Sequence, residues 1–187
     1  MTDCLFLCKA KVIIFSLLRQ TSAHSTLAAQ EFADYVKEEG LTPIAQIRAA
    51  NGQTDQDGRE IYSRRGKALI QIGKNTDMPD AHVTAPIGLT LEIVPDTNPY
   101  TLSEGEAQTS TIYYRGEPIQ GVTIGLISLD TDAGILALSE TNSKGKVTFP
   151  RQGQGSYMLH AVWSDELEGN PEAEFDTIFS SLSFAFE

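Results

Sequence analysis

The sequence is poor in the residues from which several functional classes are built. Lys and Arg together number 14 against 25 Asp and Glu, which gives a net charge of −11. Because nucleic acids and anionic membranes are bound through clustered positive charge, this balance argues against both as partners. The deficit is greatest from Thr101 onward, where four basic residues stand against thirteen acidic ones.

Cysteine and histidine are also scarce. The two cysteines, Cys4 and Cys8, both lie within the first eight residues, and the chain has three histidines. These numbers exclude a disulfide framework across the body of the protein and a Cys/His-rich structural zinc domain. We interpret Cys4 and Cys8 as small buried residues, because no His or second Cys pair stands near them.

Long apolar runs are missing as well. The two longest, 4–8 and 12–18, are separated by a Lys-Ala-Lys segment, whereas a membrane span needs about 18 to 20 residues. We therefore expect no direct membrane insertion. A secretory signal is not convincing, because an acidic residue precedes the basic pair and the apolar stretch is short. The β-branched run at 12–18 predicts a buried strand within an N-terminal fragment, residues 1–24.

Residues 25–81 predict a helical hairpin followed by a basic segment and a linker. The first helix is expected over 26–39, with Thr26 as its N-cap and Gly40 ending it. The second is expected to start at Thr42-Pro43, a cap followed by a first-turn proline, and to end at Asn51-Gly52. The linker is expected over 74–81, which places the main domain boundary there.

The basic segment that follows the hairpin contains the one cluster of positive charge in the sequence. Its members are Arg59, Arg64, Arg65 and Lys67, and the apolar run at 68–72 after them predicts a strand. We expect the cluster to pair with the protein's own carboxylates. A binding site for an anion is the alternative.

Residues 82–187 predict an all-β domain. Short strand-like runs are separated by turn residues at the spacing of a β-sandwich; they lie at 89–93, 109–114, 122–126, 135–138, 146–149, 156–163 and 182–186. Their alternation indicates one buried and one solvated face. The segments TNSKGKVTF at 141–149 and GSYML at 155–159 resemble the strand-turn-strand signature of carboxypeptidase-regulatory-like and prealbumin-like sandwiches. The predicted fold is mainly β: a C-terminal immunoglobulin-like or prealbumin-like antiparallel sandwich preceded by a short helical hairpin.

The sequence offers little from which to build a catalytic site. Nucleophilic catalysis needs a nucleophile, a base and an orienting group. We expect His24 before a helix, His82 in a linker and His160 within a strand, and no Gly-x-Ser-x-Gly elbow accompanies them. The protein is therefore predicted not to be an enzyme.

A cation site is the sharper interpretation of the acidic segment near the C-terminus. Its six carboxylates have no basic residue among them, and they are predicted to lie in a surface loop; they are Asp165, Glu166, Glu168, Glu172, Glu174 and Asp176. Oxygen-rich loops can hold a hard cation, and His160 adds a nitrogen ligand nearby. The candidate metal ligands are His160, His82, Asp165, Glu166 and Glu168. A solvated loop with ordinary surface histidines is the alternative that we favour.

Five ordered motifs carry a family resemblance. They are EEGL at 38–41, GREIYSR at 58–64, KAL at 67–69, GLTLEIVP at 88–95 and NPY at 98–100. Together they resemble the bacterial family called domain of unknown function 4198, over residues 25–187. The resemblance implies an exported, periplasmic and non-catalytic protein, and some members are associated with nickel or cobalt uptake.

The resemblance also implies a β-rich half upstream of the sandwich, behind a signal peptide. Here only the run at 12–18 resembles that half, as its last strand, so we expect a truncated member or a shortened gene model. Two functions follow. The first is an accessory protein that binds or presents a nickel or cobalt ion to a membrane metal-uptake system. The second is a sandwich used for protein or glycan contact, with no metal role.

Overall fold

Strands form most of the regular structure. The computed structural model describes residues 12–19, 22–72 and 80–186. Cys4, Cys8 and most of the predicted linker at 74–81 lie outside the described residues. The helices are α1, Ala29–Glu38, and α2, Thr42–Ala50. The strands are β1 Val12–Arg19, β2 Ala23–Leu27, β3 Gly58–Ile72, β4 Leu91–Pro95, β5 Ala107–Tyr114, β6 Glu117–Pro118, β7 Thr123–Ser128, β8 Ile135–Glu140, β9 Lys146–Pro150, β10 Gly155–Glu166 and β11 Phe175–Phe186.

The strands make two sheets. The larger, seven-stranded sheet runs β1-β3-β11-β10-β7-β8, with β2 also paired to β3. The smaller sheet has β4, β6 and β9 paired to β5. Every pairing is antiparallel except that of β3 with β11, which is parallel and aligns Glu60 with Phe175. The predicted mainly-β sandwich with a preceding helical hairpin is confirmed, and β3 belongs to the same sheet as the C-terminal strands.

The main core lies between the two sheets. Leu159 and Ala161 of β10 point into it, as their alternation predicted, and meet Ile93 of β4 and Ile112 of β5. Each of these four side chains is at most 1% exposed. Burial of this size supplies most of the stabilisation of a sandwich.

A second core lies on the other face of the larger sheet. Val162 of β10 and Phe175 of β11 are buried there against Phe32 of α1 and Ile44 of α2. The expectation that this face is solvated is therefore wrong where the hairpin lies on it. The two helices present an apolar side that needs cover, and the sheet provides it.

The ends of the hairpin correct both predicted N-caps and confirm where α1 ends and α2 begins. Thr26 is not the N-cap of α1: it lies in β2, paired with Arg59, and Ala28 occupies the cap. Pairing with a long neighbouring strand outweighs the capping preference of Thr26. Gly40 ends α1 with a φ of +69°, as expected. The second helix begins at Thr42, as expected, but its N-cap is Leu41 and not Thr42.

The basic segment belongs entirely to β3, which is longer than the strand predicted at 68–72. Because side chains alternate along a strand, its charges divide between the two faces of the sheet. Lys67 points into the sandwich and forms an ion pair with Glu92, as expected of a cluster that meets the protein's own carboxylates. Arg64 points to the outer face, where the hairpin lies.

Candidate functional site

A groove opens on the outer face of the larger sheet beside the hairpin. Its floor is one row across three strands: His160 of β10 pairs with Ser181 of β11, which pairs with Gly66 of β3. Because glycine and serine fill little space, the sheet surface dips at this row. The resulting space is about 220 Å³, with Arg64, Met158 and Phe179 among its other lining residues. We call it the Arg64 groove.

The Phe179 ring forms one wall of the Arg64 groove and has polar groups packed on it. The Arg64 guanidinium carbon lies 4.6 Å from the ring centroid. The His160 ring stacks on Phe179 with 6.2 Å between centroids. Tyr62 meets the same ring edge-on. A guanidinium stacked on an aromatic face keeps its N–H edge available for an acceptor.

His160 is held in place by the end of helix α1. Its Nε2 lies 3.1 Å from Oε2 of Glu39, the residue that caps the helix C-terminus. The two side chains are 24% and 27% exposed, so the pair borders the solvent. This contact fixes the imidazole plane against Phe179. Sequence analysis singled out His160, but its partner is 121 positions away in the chain.

A polar layer lies between α1 and the sheet, next to the Arg64 groove. The Tyr35 hydroxyl donates to Oε2 of Glu60 at 3.2 Å, and Ser164 and Thr177 share a hydrogen bond of 2.9 Å. Burial raises the pKa of Glu60, against the opposing effects of Thr177, Tyr35 and Arg64. Burial likewise raises the pKa of Tyr35. Sequence analysis missed this layer, because its members come from four separate elements.

The acidic segment is only in part the surface loop that the sequence predicted. Glu168, Glu172 and Glu174 lie in the connection at 167–174, whereas Asp165, Glu166 and Asp176 lie in strands. Strand β10 continues to Glu166 and β11 begins at Phe175, so Asp165 and Asp176 face each other as paired strand residues. Burial, and after it the charge of Asp165, raises the pKa of Asp176. Asp165 and Asp176 are a cross-strand pair because both strands extend beyond their apolar runs.

Asp165 is engaged by three donors. The Tyr114 hydroxyl and the Trp163 indole both donate to it, the latter at 3.0 Å. The Arg115 guanidinium lies 3.2 Å away. Glu174 is held in a similar way, by Arg48 at 3.1 Å and by the backbone N–H of Arg59. These carboxylates stabilise the strand ends.

The five predicted metal ligands do not converge. His82 is exposed in a 3-10 turn, Asp80–His82, and Glu166 and Glu168 are exposed at the end of β10. Within residues 12–19, 22–72 and 80–186, no group of three or more His, Cys, Asp and Glu side chains could hold a metal ion. What the structure brings together is His160 and Glu39, which are two ligands and not a closed metal site.

Comparison with known proteins gives one match. A family model described as a domain of unknown function, DUF4198, matches residues 9–165, a span that includes both helices and most of β10. No curated protein and no solved structure matches the chain. In the part of the chain that the structure describes, neither helix is long and apolar enough to cross a membrane.

Proposed function

The chain belongs to the DUF4198 family, and on that premise we propose that it is a non-catalytic, exported accessory protein that acts by binding. The observation that supports this role is the Arg64 groove. It combines an aromatic wall with a cation, an imidazole and a hydroxyl, and it is open to solvent. Of the two functions predicted from the sequence, the contact module without a metal role agrees better with this surface.

The Arg64 groove is suited to binding because its parts are held rigidly. Gly66, His160 and Ser181 occupy adjacent strands in the interior of a seven-stranded sheet. Their positions are fixed by backbone hydrogen bonds on both sides, so little ordering is needed when a ligand enters. Preorganised polar groups beside apolar walls are typical of ligand sites.

In the contact role that we propose, His160 and Ser181 are binding groups of the Arg64 groove. They are neighbours across β10 and β11. His160 is held by its hydrogen bond to Glu39, so its imidazole serves as a wall of the groove and Ser181 as part of its floor.

The test of the contact role is a mapping experiment. The ¹⁵N-labelled chain is mixed with small neutral, acidic and basic probe compounds, and backbone amide shifts are recorded by NMR. The proposal expects saturable shifts centred on Gly66, His160 and Ser181. Shifts spread over the surface, or centred on the smaller sheet, would overturn it. Export is tested separately by fractionating cells of the source organism and finding the protein in the periplasmic fraction.

A nickel- or cobalt-associated role is the second candidate, and one observation favours it. His160 and Glu39 place an imidazole nitrogen and a carboxylate oxygen 3.1 Å apart at the surface, and both ligand types suit these ions. Such a pair would present an ion to a membrane metal-uptake system, which would complete the coordination.

Calorimetric titration with nickel chloride tests this second role, at a pH where histidine is neutral. The metal role predicts heat that is lost in His160→Ala and retained in the matched control His24→Ala, at an exposed position of β2. No heat at micromolar protein would reject it and leave the contact role as proposed.

A further inference from the structure

Arg64 differs from Lys67, Arg48 and Arg115 because it forms no ion pair with a described carboxylate. Lys67, Arg48 and Arg115 each form an ion pair with a carboxylate. Among the described residues no such pair includes Arg64, whose guanidinium lies on the rings of Phe179 and Tyr62. Arg48 and Arg115 lie over rings as well, so the missing ion pair is what distinguishes Arg64 from them. The charge of Arg64 acts on Glu60 of the same strand, but in a chain with a net charge of −11 its exposed guanidinium is available to an external acceptor.

One neighbouring group adds a further donor. Ser181 contributes a hydroxyl at the floor of the Arg64 groove, which His160 borders while its Nε2 is engaged by Glu39. Stacking on Phe179 fixes the plane of the guanidinium, which favours two parallel hydrogen bonds to one acceptor group. Carboxylates match that fork in shape and charge.

The space and the walls limit what else the ligand carries. The volume of about 220 Å³ lies below the roughly 300 to 1,000 Å³ typical of drug-sized sites. Met158 and Phe179 present apolar surface beside the donors. A small acid with a flat apolar body fits both limits, because its body would lie against these two side chains while its carboxylate meets Arg64.

We propose that the Arg64 groove binds the carboxylate of a small acid with a flat apolar body, with Arg64 as the anchoring residue. This inference rests on the proposed function and names the ligand class of its groove. It predicts selectivity by charge among molecules of one shape.

The experiment compares three probes of matched shape on the full chain. Sodium benzoate, benzamide and benzylammonium chloride are titrated separately while backbone amides are followed by NMR. Benzoate is expected to shift the amide signals of Gly66, His160 and Ser181. Its dissociation constant is expected in the millimolar range, about the affinity of a ligand with so few atoms. Benzamide and benzylammonium are expected to bind at least about ten-fold more weakly, because neither carries a charge that matches the guanidinium.

Two variants test the anchor at equal net charge. Arg64→Met keeps an apolar stem over Phe179. It is expected to weaken benzoate binding about ten-fold or more, because one charge-assisted bidentate contact is lost. Arg115→Met removes the same charge from an exposed turn outside the groove and is expected to leave benzoate binding unchanged. The amide spectrum away from the groove reports that each variant is folded.

The outcomes separate the inference from the proposed function. If benzamide or benzylammonium shifts the amide signals of the groove residues and benzoate does not, carboxylate selectivity is overturned. The binding role of the groove then stands. If none of the three probes shifts them, both are overturned. Equal benzoate affinity in the wild type and in Arg64→Met would also overturn the inference, since the anchoring residue would then contribute nothing.

Discussion

The Lys67 ammonium lies 2.9 Å from the Glu92 carboxylate, and both side chains are 1% exposed. Lys67 belongs to β3 of the larger sheet and Glu92 to β4 of the smaller one, so the pair joins the two layers. The carboxylate also accepts the backbone N–H groups of Ile87, Gly88 and Leu89. Burial lowers the pKa of Lys67, and Glu92 opposes that shift. Two of the motifs that carry the family resemblance thus meet in one buried contact.

Lys67→Met is expected to destabilise the protein by about 3 to 5 kcal/mol, because it leaves the Glu92 charge buried without its counter-ion. The free energy of unfolding in urea measures this loss. Lys146→Met is the matched control, since Lys146 pairs with Asp96 at the surface, with side chains 41% and 24% exposed. There the expected loss is no more than about 1 kcal/mol. Equal losses in the two variants would contradict the role of burial.

Glu60 is expected to make the protein less stable as pH rises. Burial raises the pKa of Glu60 above its usual value, so its stabilising contribution is complete below the pKa of the unfolded chain, about 4.3. That contribution is lost as the pH increases through the higher pKa of the folded state. Glu60→Gln imitates the protonated form, so the stability of this variant relative to wild type should increase from pH 4 to pH 8.

Urea unfolding at several pH values measures that difference for Glu60. Asp176, whose pKa is also raised, is present in both the wild type and the variant. Its effect on stability therefore cancels in the difference between them. Glu31→Gln, at an exposed position of α1, supplies the control and should give curves parallel to wild type. Parallel curves for Glu60→Gln would show that this carboxyl titrates as an ordinary surface group.

Gly58→Ala is expected to loosen the hairpin from the sheet. A Cβ at this position would lie 2.1 Å from Cγ of Phe32. This is a steric clash, so either the Phe32 ring or strand β3 must move. Overpacking of this kind typically costs about 1 to 3 kcal/mol, measurable by thermal or urea unfolding. Gly153→Ala, where an added Cβ has no atom within 4 Å, is the control. Phe32→Leu in the same chain should recover part of the loss.

The edge strand β8 is expected to govern aggregation. Ile135, Leu136 and Leu138 are 49%, 43% and 59% exposed, and β8 ends the strand order of the larger sheet. Unpaired apolar edges promote edge-to-edge association. Leu138→Lys should therefore slow aggregation on heating, followed by light scattering, and change the free energy of unfolding by no more than about 0.5 kcal/mol. Ser143→Lys adds the same charge in a turn, and an equal effect there would refute the edge explanation.

The fold could be predicted where the sequence signal is local. Alternation placed Leu159 and Ala161 in the core, and Gly40 marked the end of α1, because each depends on neighbours a few positions away. The pairing of β3 with β11 has no such signal. Its partners are more than a hundred positions apart, so the basic run of β3 did not indicate which sheet would receive it. Strand β2 was missed for another reason: its Thr26 carries the local signature of a helix cap, although it pairs with Arg59 of β3.

The candidate site was predicted only in pieces. His160 and Arg64 were named, one as a metal ligand and the other within a basic cluster. Gly66, Phe179 and Ser181 carried no chemical signal, since small or apolar residues matter here only through the row in which the strands place them. Asp165 and Glu174 did carry a chemical signal, as members of an acidic segment without basic residues. That signal did not show that donors from distant parts of the chain bind both carboxylates.

The parallel pairing of β3 with β11 also sets the order in which the chain can be assembled during its synthesis. Strand β11 lies between β3 and β10, and its first paired residue, Phe175, is joined to Glu60. A ribosome has therefore made more than a hundred residues after β3 before the two parts of the larger sheet can meet. Until then, β3 with its neighbours and β10 with β7 and β8 form separate groups of strands, each with an unpaired edge. The larger sheet is expected to close only after β11 has left the ribosome.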